Sequence, residues 1–215
     1  MGKPADEFPA TPELNQRLDM GIDANVLNEM ISTVSFAVSR DDLKPSLTGV
    51  YFKFEKESLT AVATDGHRLA KYVRSDFKAG EFQGEVIVPR KFLNIINSYI
   101  SKDENTQLLL GDSVFTATIG ADTIYTRIID ERFPDYQSVI PTDNEKEIRA
   151  SCDELLSAVK RVSIFSNKAT HQIAIRASNG SATITTEDPE KASKAQETIK
   201  IEYDCLLYTS PSPRD

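Results

Sequence analysis

The sequence has 215 residues, enough for one large domain or two small ones. Hydrophobic residues make up 40%, which provides a packed core and excludes wholesale disorder. The net charge is −8, which by itself argues against nucleic acid as a partner because phosphate contacts need Lys and Arg, although an acidic body can still carry a basic stripe.

Residues 1–14 are rich in Pro and acid, show no period, and read as a linker or the end of a preceding element. Arg17–Ile22 alternates and reads as a strand. Asp23 is a suitable N-cap for a helix to about Val34 that places Val26, Leu27, Met30, Ile31 and Val34 on one face. Leu47–Phe54, Ser58–Ala63 and Arg68–Val73 follow as strands, with Asp65-Gly66 as a tight-hairpin signal between the last two. The order then recurs. Glu85–Val88 is a strand, and Pro89 fits the first helical position of a helix through Arg90–Ile100 with Phe92, Leu93, Ile95, Ile96 and Tyr99 apolar. Gln107–Leu110, Ser113–Ile119 and Asp122–Ile129 are strands joined at Gly111-Asp112 and Gly120-Ala121. Residues 17–130 thus hold two copies of one β-α-β-β-β plan.

A third copy begins at Glu147, and here the repeat shows in the letters. Thr33-Val34-Ser35-Phe36 aligns with Arg161-Val162-Ser163-Ile164, and Leu27 meets Leu155 at the same spacing. Ser58-Leu59-Thr60 and Asp65 align with Ser181-Ala182-Thr183 and Asp188. The copy is expected to stop after a strand at Thr198–Tyr203. Cys205–Asp215, CLLYTSPSPRD, resembles the in-frame translation of a sequencing-library adaptor and is expected to add no strand to the fold.

Sequence patterns for catalysis are sparse. The two histidines, His67 and His171, sit in no metal-ligand spacing, and the nucleotide-loop and nucleophile-elbow motifs are absent. Cys152 precedes Asp153 at a helix start and reads as a capping-region cysteine; with Cys205 it forms neither a CxxC pair nor a disulfide framework. The pairs Asp41-Asp42 and Asp103-Glu104 read as solvated surface. No apolar run approaches the ~20 residues that span a bilayer, and the N-terminus lacks a signal-peptide core, so a soluble, cytoplasmic protein is the expectation. One segment stands out: Ala63-Thr64-Asp65-Gly66-His67-Arg68-Leu69-Ala70, a hairpin with His and Arg just past its turn. It reads either as an ordinary turn or as a ligand-facing rim.

That segment resembles the most recognisable stretch of the bacterial DNA sliding clamp family, the beta subunit of DNA polymerase III holoenzyme. Arg132-Phe133-Pro134-Asp135-Tyr136 with Val139, Ile140 and Pro141, and Val86-Ile87-Val88-Pro89-Arg90-Lys91, resemble it too, in the family's order and spacing. The similarity runs from Asp6 to Asp204. It implies an α+β DNA clamp fold of β-α-β-β-β units, with helices facing a DNA channel and antiparallel sheets outside, in a ring of two subunits with three domains each. On this chain it makes residues 1–14 the end of a first domain that is otherwise missing, 15–143 a complete central domain, 144–204 the first half of the C-terminal domain, and 205–215 a non-native tail. Met1 is then an internal methionine or a fragment start.

The resemblance further implies a non-catalytic processivity factor for DNA replication, without cofactor or metal. It would encircle duplex DNA without sequence preference and tether the polymerase III catalytic subunit, the clamp loader and other proteins bearing a clamp-binding motif. Polymerase or exonuclease activity would belong to the holoenzyme by association. The partner-peptide cleft maps to Leu47, Thr64, Gly66, His67, Arg68, Leu69, Pro134 and Val139; Leu47, Leu69, Pro134 and Val139 would be apolar walls. The family usually has a basic residue where Ser138 stands. DNA-facing positions are Arg90, Lys91, Lys160, Arg161 and Lys168, and the joint of a homodimeric ring is Ile164 with Phe165. Two other readings remain open at this stage: a hydrolase using Asp65 and His67 as a general-base neighbourhood, and a purely structural β-repeat protein.

Overall fold

Asp23 ends the first strand, β1 (Leu18–Asp23), and caps the first helix, α1 (Ala24–Val34). Its carboxylate accepts the backbone N–H groups of Asn25 at 2.9 Å and Val26 at 3.2 Å, two of the donors a helix start leaves orphaned. The computed structural model describes residues 18–77, 82–100, 105–144, 146–203 and 207–209, so the segment 1–14 and the pair Asp103-Glu104 lie outside the described residues. The chain divides into two units between Tyr136 and Gln137, earlier than the expected boundary at 143/144.

In the first unit α1 buries Leu27, Met30, Ile31 and Val34, as its period predicts. The strands β2 (Gly49–Phe54), β3 (Leu59–Thr64) and β4 (Leu69–Arg74) follow, then β5 (Gly84–Pro89), α2 (Arg90–Tyr99), β6 (Asn105–Leu110), β7 (Val114–Ile119) and β8 (Asp122–Arg127). Two expectations need correction. The strand expected from Leu47 starts at Gly49, because Pro45–Leu47 forms a 3₁₀ turn whose carbonyl at Pro45 accepts from Thr48 N at 3.0 Å and Thr48 Oγ1 at 2.8 Å. Pro89 is still the last residue of β5, opposite Gly49, and precedes α2 as its N-cap instead of being its first residue.

The pairing of strands joins the two halves. One sheet has the order β4-β3-β2-β5 and the other β1-β6-β7-β8, all antiparallel. Each half's first strand therefore completes the other half's sheet: β1 runs along β6 from Leu18↔Leu110 to Asp23↔Asn105, and β5 runs along β2 from Gly49↔Pro89 to Phe54↔Gly84. The apolar faces of both sheets and both helices meet in one core that holds Met20, Ile22, Leu27, Phe52, Val88, Phe92, Ile96 and Phe115.

The opposite face of the first sheet is covered as well. After β8 the chain turns back over it: Ile129 N donates to Ile87 O at 2.9 Å, and Phe133 stacks on Tyr51 with centroids 4.8 Å apart. Tyr136 packs beside both rings, at 5.9 Å from Tyr51 and 6.3 Å from Phe133. Tyr51, Val62 and Ile87, which point away from the main core, are buried together with Phe133 and Tyr136. Arg132-Phe133-Pro134-Asp135-Tyr136 is thus a strap with its own small apolar layer.

In the second unit Ser151 caps α3 (Cys152–Ser163), accepting from Glu154 N at 3.4 Å. The strands β9 (Ala174–Ser178), β10 (Ser181–Asp188), β11 (Ser193–Lys200) and β12 (Leu207–Thr209) form a sheet of order β11-β10-β9-β12, and a core gathers Ala158, Val162, Ala177, Ala182, Ile184, Ile199, Ile201 and Tyr203. The strand expected at Thr198–Tyr203 begins five residues earlier, at Ser193, because a 3₁₀ turn at Pro189–Lys191 and Ala192 at φ 49° close a tight connection after a long β10. The tail expectation also needs correction: Leu207–Thr209 forms β12 and pairs antiparallel with β9, from Leu207↔Ala177 to Thr209↔Ile175.

Gly49 sits where β2, β5 and the strap converge. A Cβ there would lie 2.6 Å from Val88 O, 2.8 Å from Ile87 Cγ2 and 3.0 Å from Ile129 Cδ1. Because the nearest atom is backbone, the clash has no cheap relief. We expect Gly49→Ala to cost about 1–3 kcal/mol in thermal or urea unfolding; unchanged stability would show that the strap does not bear on this strand.

Candidate functional site

The β3–β4 hairpin closes on its own side chains. Thr64 and Leu69 face each other as the last pair of the ladder. Thr64 Oγ1 accepts from Gly66 N at 3.1 Å and donates to Arg68 O at 2.7 Å. Asp65 Oδ1 accepts both His67 N and Arg68 N at 3.0 Å, and its Oδ2 accepts Arg68 Nε at 3.0 Å. Gly66 takes φ +91°, a left-handed conformation that side chains rarely adopt, and the space where its Cβ would stand is open. The backbone N–H groups of Gly66, His67 and Arg68 are all used within the turn, which presents these three residues to solvent.

Burial alone would raise the Asp65 carboxyl, but hydrogen bonds from Arg68 N, His67 N and the Arg68 side chain, with the guanidinium's charge, outweigh it and hold the group below the usual Asp range. Asp65 is therefore an anchored anion and is poorly suited to take up a proton. The Arg68 guanidinium also lies over the Phe36 ring, 5.5 Å from its centroid. Phe36 is 59% exposed just past α1. Sequence reading did not single it out, since its place after the helix gives it no period.

The other expected cleft residues fall as follows. Leu47, before β2, and Leu69, opening β4, lie at the same end of the sheet as the hairpin, as the strand register requires. Leu47 is buried at 7% exposure and Leu69 is half-buried, so a ligand would meet chiefly Leu69. Pro134 is exposed on the strap between the buried Phe133 and Tyr136. Tyr51, under the strap, donates its hydroxyl to Glu85 Oε2 at 2.6 Å; burial first and then Glu85 push its ionisation far above the ordinary tyrosine value. Lys71 Nζ sits 5.7 Å from the Tyr136 ring centroid. Ser138 and Val139 belong to the second unit, in a 3₁₀ turn at Gln137–Val139, where Val139 is 67% exposed.

The basic positions differ in freedom. Arg90 and Lys91 open α2, whose first turn holds no acidic residue. Cations at a helix N-terminus oppose its dipole, a cost that a nearby anion would offset. Lys160 and Arg161 lie in the last turn of α3, where the dipole favours them. Arg161 is paired through two nitrogens with Glu197, its Nε 3.0 Å from Oε2, which raises the arginine and lowers the glutamate. Lys168 is exposed in the loop beyond. Ile164, just past α3, is 77% exposed and Phe165 47%. Ser193 Oγ holds Phe165 O at 3.1 Å, and Asn167 Nδ2 reaches the buried Asp188 at 3.4 Å, so the segment carrying the two apolar residues is tied to the β10–β11 connection. Cys152 is exposed, and Asp41 and Asp42 are exposed as expected.

Comparison with known proteins connects these features. The central-domain model of the DNA polymerase III beta subunit matches residues 21–135, and its C-terminal-domain model matches 137–205. The beta sliding clamp of Pseudomonas aeruginosa is 32% identical over 201 residues, covering 93% of this chain and 54% of the relative. That of Chlamydia muridarum is 31% identical over 185 residues, covering 86% and 50%. The chain thus spans about half the length of the curated relatives it matches. A crystal structure of the P. aeruginosa clamp bound to griselimycin superposes with a TM-score of 0.86 at 31% identity, over 96% of this chain and 56% of that one. Another structure of the P. aeruginosa subunit gives 0.87, over 96% and 57%. With both family models matched in sequence and the fold shared with solved clamps, this chain belongs to the DNA polymerase III beta subunit family, the bacterial sliding clamps.

Proposed function

We propose that this chain is part of a sliding clamp, a non-catalytic processivity factor that encircles duplex DNA and tethers the replicative polymerase and other partners during DNA replication. The observation that carries this reading is the self-locked hairpin Thr64–Leu69 beside the strap that displays Pro134, on a fold shared with the clamps. Residues up to Tyr136 belong to the central domain, and those from Gln137 to the first half of the C-terminal domain. The first unit's Leu47, Thr64, Gly66, His67, Arg68, Leu69 and Pro134 take a short linear motif with apolar anchors. Those anchors come from the polymerase catalytic subunit, the clamp loader and similar partners. Ile164 and Phe165 form the joint of the homodimeric ring, and Arg90, Lys91, Lys160 and Lys168 face the DNA. Arg161, held by Glu197, contributes less. The setting is cytoplasmic; among the described residues no helix is long and apolar enough to cross a membrane.

A hydrolase built on Asp65 and His67 is not favoured, because both Asp65 oxygens are engaged by the hairpin and its carboxyl is held low. Among the described residues no group of three or more His, Cys, Asp and Glu is placed to hold a metal ion.

Griselimycin, which the P. aeruginosa clamp binds, serves as a probe for the cleft. Calorimetry should show binding to the 215-residue chain, weakened about tenfold by Leu69→Ala, the loss of one anchor contact worth about 1.4 kcal/mol. Binding that ignores both Leu69→Ala and Pro134→Ala would remove the hairpin and the strap from the site.

The hairpin's acid sensitivity has a definite sign. A carboxyl held below its ordinary value of 3.8 stabilises the folded state above that value and ceases to do so as pH falls through the lowered one. Asp65→Ala should therefore lower stability by about 1 kcal/mol at neutral pH. The gap to the unaltered chain should close only in strong acid, and a gap that closes near neutrality would contradict the anchoring role.

DNA contacts should be few and salt-dependent. Binding of a short duplex, followed by fluorescence anisotropy, should be negligible at physiological salt. At low salt, Arg90→Ala or Lys91→Ala should each reduce the salt slope by about 1. Tight binding of linear duplex at physiological salt would argue against enclosure as the mode of holding.

A further inference from the structure

Phe36 follows α1 in a 3₁₀ turn, Ser35–Ala37, whose backbone is tied on both sides. Val34 before it and Ala37 and Val38 after it are buried. Val38 N donates to Ser35 O at 3.4 Å, and Ser39 N donates to Leu47 O at 2.9 Å. The Phe36 ring is the outward member of this segment, 59% exposed, so burial gives it only a small part in stability. An isolated exposed ring is ordinary. This one carries the guanidinium of Arg68 over its face, 5.5 Å from the centroid.

Arg68 is held at its backbone, at Nε and at the face of its guanidinium. Its N–H donates to Asp65 Oδ1 at 3.0 Å, and its carbonyl accepts from Thr64 Oγ1 at 2.7 Å. Its Nε donates to Asp65 Oδ2 at 3.0 Å, and Phe36 lies against the plane. The two outer nitrogens make no hydrogen bond among the described residues, and the side chain is 52% exposed. A free arginine samples many rotamers, and a ligand that immobilises one loses that freedom. Asp65 and Phe36 have already removed it, leaving a planar pair of donors set in place. Asp65 also balances the charge of the guanidinium. On a chain of net charge −8, such a pair suits an uncharged acceptor better than an anion. A peptide carries such an acceptor, a backbone carbonyl, at every residue.

We infer that Phe36 is a positioning residue of the peptide-binding surface: its ring holds the Arg68 guanidinium so that the two outer nitrogens donate to a backbone carbonyl of the bound peptide. The inference rests on the reading of the Thr64–Leu69 hairpin as part of that surface, and it deepens that reading. Leu69, the next residue, receives an apolar side chain of the peptide, while Arg68 fixes the peptide's backbone beside it. Phe36 itself touches no ligand and acts through the arginine.

Calorimetry on the 215-residue chain, with griselimycin as the probe, tests this. Arg68→Ala should weaken binding about fivefold, the loss of one hydrogen bond, and by the same factor at low and high salt because the acceptor is uncharged. Phe36→Leu, which keeps an apolar side chain and removes the π face, should weaken it about threefold, the size of an exposed cation–π contact. Phe36→Tyr should bind as the unaltered chain does. On the Arg68→Ala background Phe36→Leu should change nothing. Both Phe36 variants should keep the urea midpoint, since the ring is exposed. In the unaltered chain the NMR signal of the Arg68 Nε–H should carry a ring-current shift that persists when griselimycin binds, a measurement that needs no variant. A Phe36→Leu loss undiminished without Arg68, equal losses for the Leu and Tyr variants, an Arg68→Ala loss that salt abolishes, or a ring-current shift that disappears on binding would each overturn the inference. Weaker binding in Leu69→Ala with none in Phe36→Leu or Arg68→Ala would overturn it and leave the peptide-binding surface in place. No effect of Leu69→Ala or Pro134→Ala would strike that surface itself, and this inference with it.

Discussion

In the first unit neither half of the repeat owns the edge strand that its sheet needs. β2 is completed by β5 and β6 by β1, over six residues each. A backbone edge left open in an apolar setting costs unsatisfied hydrogen bonds, and an open sheet face leaves residues such as Phe52 and Phe115 in water. Exchange removes both costs together. It does so only when the two halves are folded against one another, so the halves form one cooperative unit with one core. The positions of α1, α2, the hairpin and the strap all follow from this interlocking.

The strap depends on that frame and transmits it to the surface. Its bridge from Ile129 reaches Ile87, the central residue of an exchanged strand, and its rings rest on Tyr51 in the strand beside it. Gly49, at the crossing, has room for no side chain. Pro134 therefore stands on a segment buried at Phe133 and Tyr136, and Leu69 on a hairpin whose turn is closed by Thr64 and Asp65. Both are held by backbone and ring contacts reaching back to the sheet, so a partner would meet a surface whose ordering cost is already met by folding.

Much of this was legible in the residues. Asp23, the apolar period of α1 and α2, the Asp65-Gly66 turn and the β-α-β-β-β order all act locally, over a few positions, and local patterns survive in a sequence. The strand exchange did not show, because β1 and β5 have the same composition whichever sheet they join. The strap was recognised as a motif, but its task was hidden: Tyr51 and Ile87 read as ordinary strand residues until Phe133 covers them. Phe36 beneath Arg68 was missed for a similar reason, since the contact links positions 32 residues apart with no shared period. The pairing of Leu207–Thr209 was missed because the edge of β9, more than the tail's own composition, decides what pairs there.

The charge distribution bears on how the proposed clamp would hold DNA. A body of net charge −8 repels phosphate at long range. Of the five basic positions considered, Arg161 is occupied by Glu197 and Lys160 is already favoured by the end of its helix. Arg90 and Lys91 alone sit where the helix dipole opposes them and an anion would relieve the cost. So few cations give weak, sequence-blind contacts that salt readily screens. A protein that must stay on DNA and still move along it cannot gain residence by adding such contacts, because each one that slows release also resists sliding. Enclosure separates the two demands: topology supplies residence, and weak contacts leave motion free. On this reading the acidic body limits friction on the DNA.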